Sequence, residues 1–86
     1  MIEYKAGMLA KSKAGHDKEK IYVITAVEDA YVYLADGFLR KLANPKKKKK
    51  KHIQLIGCQF ELSDCDDVKI KYILKQYQKE VEKKDV

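Results

Sequence analysis

Six consecutive lysines, Lys46 to Lys51, stand between Pro45 and the apolar positions Ile53 and Leu55. Adjacent ammonium groups repel one another, and none can be buried without a partner anion. The run therefore reads as a solvated loop over residues 46–51 whose charge density matches a polyanion. Nucleic acid phosphate rewards such a run through release of condensed counterions. The competing reading is a solubilising or localisation segment, but the run lies inside a patterned chain rather than at a ragged end. His52 closes the run and is grouped with it.

Eighty-six residues make one small domain with a modest core and little room for a deep pocket and a catalytic apparatus. The charge is uneven. Residues 1–57 hold 13 Lys or Arg against 6 Asp or Glu, a balance of +7, whereas residues 58–86 hold 6 against 7, a balance of −1. That asymmetry points to a basic binding face. No apolar run approaches the ~20 residues of a membrane span, and Met1-Ile2-Glu3-Tyr4-Lys5 lacks a secretory architecture, so a cytoplasmic protein is expected. Cys58 and Cys65 have no second cysteine pair, and His16 and His52 lie far from them, so neither a metal nor a cofactor is expected. No nucleophile–base–orienter set, phosphate-binding glycine loop or facing carboxylate pair can be assembled, which argues against an enzyme.

The first two-thirds reads as short strands. Met8 to Lys13 alternates imperfectly and meets a turn at Ala14-Gly15, where glycine can supply a positive φ. His16 to Lys20 is a polar loop. Ile21 to Val27 is β-branched and aromatic with apolar side chains on both faces, as expected of a strand covered on both sides. Tyr31 to Ala35 is the next strand, and Asp36-Gly37 is a two-residue hairpin signal leading into a fourth strand at Phe38 to Leu42. Pro45 ends that strand, and His52 to Leu55 alternates as a fifth that can close the sheet. Five strands in about fifty residues suggest a small closed β-barrel over residues 1–57.

Residues 58–86 form a connector and then a helix within the same domain. Ser63-Asp64 provides a cap, and Asp64, Asp66 and Asp67 put negative charge at the helix N-terminus. Ile70, Ile73, Leu74, Tyr77 and Val81 share one helical face, and Lys79, Lys83 and Lys84 fill the last turns. The helix is expected from Cys65 or Asp66 to Lys83, and its stripe must dock either on the barrel, the preferred reading, or on a partner.

Residues 7–37, from Gly7-Met8-Leu9-Ala10-Lys11-Ser12-Lys13-Ala14-Gly15-His16-Asp17-Lys18 to Tyr31-Val32-Tyr33-Leu34-Ala35-Asp36-Gly37, resemble a KOW motif. With Phe38-Leu39-Arg40-Lys41-Leu42, Asn44-Pro45 and the lysines, the chain is similar to small bacterial KOW-domain RNA-binding proteins. These are related to the archaeal and eukaryotic large-subunit ribosomal proteins of the fourteen-e type. Ile70 to Tyr77 looks like that group's terminal helix, so the resemblance spans nearly the whole chain. It implies an SH3-like barrel, RNA binding, and a ribosomal or ribosome-associated role in translation. By position, Gly15 would be the motif glycine, Lys11, Lys13, His16 and Lys18 the RNA-facing loop, and Arg40 with Lys41 a second basic strand. Where a basic residue and a glycine often follow the Asp-Lys of this loop, this chain has Glu19-Lys20.

The combined expectation is a monomeric barrel-plus-helix protein that contacts the phosphate backbone of folded RNA, ribosomal RNA above all. The RNA-binding set is Lys11, Lys13, His16, Lys18, Arg40, Lys41, Lys46, Lys47, Lys48, Lys49, Lys50, Lys51 and His52. Ribosomal proteins are possible neighbours. The rival expectation is an SH3-like protein-interaction module for an acidic partner, with the C-terminal helix as docking element. Most tyrosines are expected in the core, with one of Tyr31 and Tyr33 exposed.

Overall fold

The computed structural model describes residues 3–84; of the expected positions, the side chains of Cys58, Val81, Lys83 and Lys84 lie outside the described set. The chain is mainly β. Five antiparallel strands, β1 (Met8–Ser12), β2 (Ile21–Val27), β3 (Tyr31–Ala35), β4 (Lys46–Lys49) and β5 (Ile53–Gln59), precede one helix, α1 (Asp67–Lys84). The spatial order is β4-β3-β2-β1-β5. The edge strands β4 and β5 do not pair with each other, so the expected closure is absent. The open sheet is compatible with a small SH3-like barrel.

Three of the expected elements change: the fifth strand, expected at His52 to Leu55, starts at Ile53 and runs on to Gln59, and two others change more deeply. The lysine run is not a solvated loop: Lys46–Lys49 is a strand on β3, and Lys50–His52 is a single 3₁₀ turn. The strand expected at Phe38 to Leu42 does not form, because its backbone groups are used elsewhere. The Asp36 carboxylate accepts the N–H groups of Phe38 and Arg40, both at 2.8 Å. The Arg40 carbonyl accepts those of Asp36 and Gly37 at 2.8 and 3.1 Å. Leu42 donates its N–H to the Asp67 carboxylate of α1 at 2.8 Å. The Asp36-Gly37 pair thus opens a closed loop, not a two-residue hairpin.

The two-faced pattern of β2 is realised. Tyr22 and Ile24 join Ala10, Val32, Leu34 and Ile53 on one face of the sheet. Val23 joins Leu9 and Ala35 on the other, where Ile70, Ile73 and Leu74 of α1 cover them. A register shift between Ile24 and Ala26 changes the sense of β2: Ile24 opposes buried Leu34, while exposed Ala26 opposes Tyr33. Such a bulge bends and twists its strand. The N-cap is Asp66 rather than Ser63-Asp64, since its carboxylate accepts the Lys69 N–H at 2.8 Å.

The helix docks on its own sheet, with Ile70 at 0%, Ile73 at 5% and Leu74 at 8% exposure. That part of its apolar stripe is therefore covered within the chain. Removing α1 would uncover Leu9, Val23 and Ala35, and a fragment of residues 1–62 should lose cooperative thermal unfolding and bind a hydrophobic dye. A sharp melt of that fragment would contradict this account. Glu19 lies at φ 75°, a left-handed conformation that costs a side-chain-bearing residue about 1 kcal/mol or more. Glu19→Gly should raise stability by about 1 kcal/mol in denaturant titration, and a lowered midpoint would show that the Lys11 contact at 3.3 Å outweighs the strain.

Candidate nucleic-acid interface

Alternation along β4 sorts identical residues into two sets. Lys46 and Lys48 oppose Leu34 and Val32, so they lie on the face of β3 that carries buried side chains. Their ammonium groups meet one carboxylate: Lys46 Nζ is 2.8 Å from Asp17 Oδ2, and Lys48 Nζ is 2.7 Å from Asp17 Oδ1. Ser12 Oγ and Tyr22 Oη donate to the same carboxylate at 2.8 and 3.0 Å. Lys48 also donates to the Ala14 carbonyl at 2.8 Å. Asp17 and Lys48 retain only 9% and 10% of their side-chain exposure. Burial alone would push the Asp17 carboxyl up, but the bonds from Lys46, Lys48, Ser12 and Tyr22 outweigh it and hold it well below the usual carboxylate range. Burial, and next the bond to Asp17, push the Tyr22 phenol up.

Lys47 and Lys49 oppose Tyr33 and Tyr31 on the other face. Lys47 Nζ lies 4.4 Å from the Tyr31 ring centre and 6.0 Å from that of Tyr33. Its ion pair with Glu28 is long, at 3.9 Å, and half exposed on both sides. Tyr33 donates to Glu28 at 2.7 Å. Both tyrosines are half-buried, rather than one alone being exposed. Beyond Lys49, a shallow recess is lined by Asp29, Ala30, Tyr31, Lys49, Lys50 and Lys51, and the Lys50 N–H bonds the Ala30 carbonyl at 2.9 Å. Lys50 stands 5.1 Å from the Tyr4 ring centre. Tyr4 packs on the cluster of the opposite face, so the cationic and aromatic face is that of Lys47, Lys49, Tyr31 and Tyr33, extended by Lys50 and Lys51 at the recess beside Tyr31.

The remaining expected residues gather separately. Gly15 has φ 86°, so it occupies the conformation that glycine alone takes readily. Lys13, His16 and Lys18 are exposed around it, while Lys11 is engaged with Glu19. Lys20 Nζ bonds the buried Asp36 carboxylate at 2.8 Å, tying this loop to the one that carries Arg40 and Lys41. Burial again opposes, and Lys20 with the Arg40 and Phe38 N–H groups outweighs it, so the Asp36 carboxyl is lowered. His52 is half-buried and accepts the Lys13 N–H on its carbonyl at 2.8 Å. Phe38 and Leu39, at 67% and 71% exposure, project from the second loop and were not among the expected site residues. Their place in an assumed strand hid them. No protein-family model matches this chain, and no curated protein matches it.

Asp17→Asn should leave Lys46 and Lys48 without their counter-ion against the core and cost about 3 kcal/mol. The pH dependence has a definite sign. The folded carboxyl titrates below its unfolded value of about 3.9, so its stabilisation is complete above about pH 5 and disappears as pH falls through the acid range. Melting temperatures measured from pH 6 down to pH 2 should therefore fall less steeply in Asp17→Asn than in the parent chain. Parallel curves would remove Asp17 from this role.

Proposed function

We propose that this chain is an RNA-binding protein that holds folded RNA by its phosphate backbone, acting on or with the ribosome. The observation that carries the reading is the outward set of Lys47, Lys49, Lys50 and Lys51 beside Tyr31 and Tyr33. Among the described residues, these cations have no buried carboxylate partner like the one that Lys46 and Lys48 share. Cations standing over aromatic rings on a sheet face suit a backbone that alternates phosphate with flat bases. Lys13, His16, Lys18, Arg40 and Lys41 form a second basic rim, joined to the first through the Asp17 and Asp36 bridges. The overall charge of +6 favours association with a polyanion at long range. Phosphate contacts position the protein, and RNA shape does most of the discrimination. The resemblance to KOW-domain RNA-binding proteins supports the same reading and suggests ribosomal RNA as the target.

The six lysines divide into two experimental groups. Replacing Lys47, Lys49, Lys50 and Lys51 by Ser should weaken binding to an RNA hairpin at least roughly tenfold. The slope of log affinity against log salt should shrink by about 3, from about 0.7 to 0.9 per phosphate contact. Melting should be nearly unchanged. Replacing Lys46 and Lys48 by Ser should instead lower the melting temperature and leave the salt slope nearly intact. Equal effects of the two variants on the salt slope would overturn the division, and an unaltered affinity in the fourfold variant would overturn the RNA reading.

A further inference from the structure

The loop from Asp36 to Leu42 presents two large apolar side chains to water from a backbone that is held at several points. Inside it, the Asp36 carboxylate bonds the Phe38 and Arg40 N–H groups. Across its base, the Arg40 carbonyl takes the N–H groups of Asp36 and Gly37. Outside it, Asp67 of α1 holds the Leu42 N–H, and Lys20 holds Asp36. Gly37, at φ 76°, lies so close to the Asp67 carbonyl that a Cβ there would collide with it. Val68 and Tyr72 are also exposed, at 71% and 62%, but they stand on the outer face of α1 with no comparable frame around them.

A loop so braced does not need Phe38 in water for its own stability, since every bracing bond runs through backbone or aspartate. Exposed apolar area on a rigid support is recovered only when a ligand covers it, and the ordering cost of binding is already met. The surroundings state the ligand's charge. Lys71 Nζ lies 5.4 Å from the Phe38 ring centre, and Arg40 and exposed Lys41 follow in the loop. A flat apolar surface attached to an anion is what fits such a corner, and an unpaired nucleotide is both.

Resting on the RNA reading above, we infer that Phe38 is a base-stacking residue that takes an unpaired base of the bound RNA. Arg40, Lys41 and Lys71 receive the flanking phosphates. The outward lysines of β4 then supply sequence-independent hold, and Phe38 gives preference for RNA that offers a splayed base over continuous duplex.

The chain contains no tryptophan, so Phe38→Trp makes a single fluorescent reporter at the site. Its emission should be quenched by a short oligouridylate and scarcely altered by a blunt RNA duplex of the same length. Phe38→Ala should weaken oligouridylate binding roughly tenfold, with duplex affinity and salt slope unchanged. Both variants should melt like the parent, because Phe38 contributes little to the core. If Phe38→Ala fails to fold, the fluorescent reporter decides the matter alone. Unchanged emission from the Phe38→Trp variant at saturating oligouridylate would overturn the stacking role while leaving the lysine face intact, and would leave the loop to an acidic protein. If the parent chain binds neither RNA, the RNA reading falls and the stacking role with it.

Discussion

The carboxylate of Asp17 is the point on which the rest of the molecule turns. It lies in the loop between β1 and β2, yet its partners come from the end of β1, the start of β2 and the whole inner side of β4. Two lysines side by side against a core would be prohibitive without an anion. With Asp17 between them, a run of identical charges becomes an edge strand. Lysine on an edge strand has a further use, since exposed charge discourages pairing with another chain. One buried ion cluster therefore anchors the β1–β2 loop, seats β4 on β3 and turns the other lysines outward.

The outer face of the sheet is divided between stability and contact. Ala35, Val23 and Leu9 lie under α1, and the same alternation carries Tyr33 and Tyr31 on that face beyond the helix. The helix also meets the loop after β3, through Asp67 to Leu42 and through the close approach at Gly37. Docking of α1 thus does two things at once. It completes the core, and it stiffens the loop that holds Phe38 and Arg40 in water.

Much of this was legible in the chain. The β-branched and aromatic content of Ile21 to Val27 and of Tyr31 to Ala35 specified two strands to the residue, and the spacing of Ile70, Ile73 and Leu74 specified the buried face of α1. Gly15 announced its positive φ. Phe38 to Leu42 misled because its composition suits a strand, while the deciding fact was where its N–H groups found acceptors. Asp36 supplies those acceptors locally, and Asp67 supplies one from 25 residues away. Backbone partners at that separation leave no trace in local pattern.

The candidate site shows the same division most clearly. Sequence by itself determined that a dense block of positive charge follows Pro45 and that none of it could be buried alone. It could not determine which lysines face which way, because a homopolymeric run has no alternation to read. Only pairing with β3 assigns Lys46 and Lys48 to Asp17, and Lys47 and Lys49 to the face of Tyr31 and Tyr33. The side-chain period of a strand is two, so the register of one neighbour decides the direction of every residue in the run.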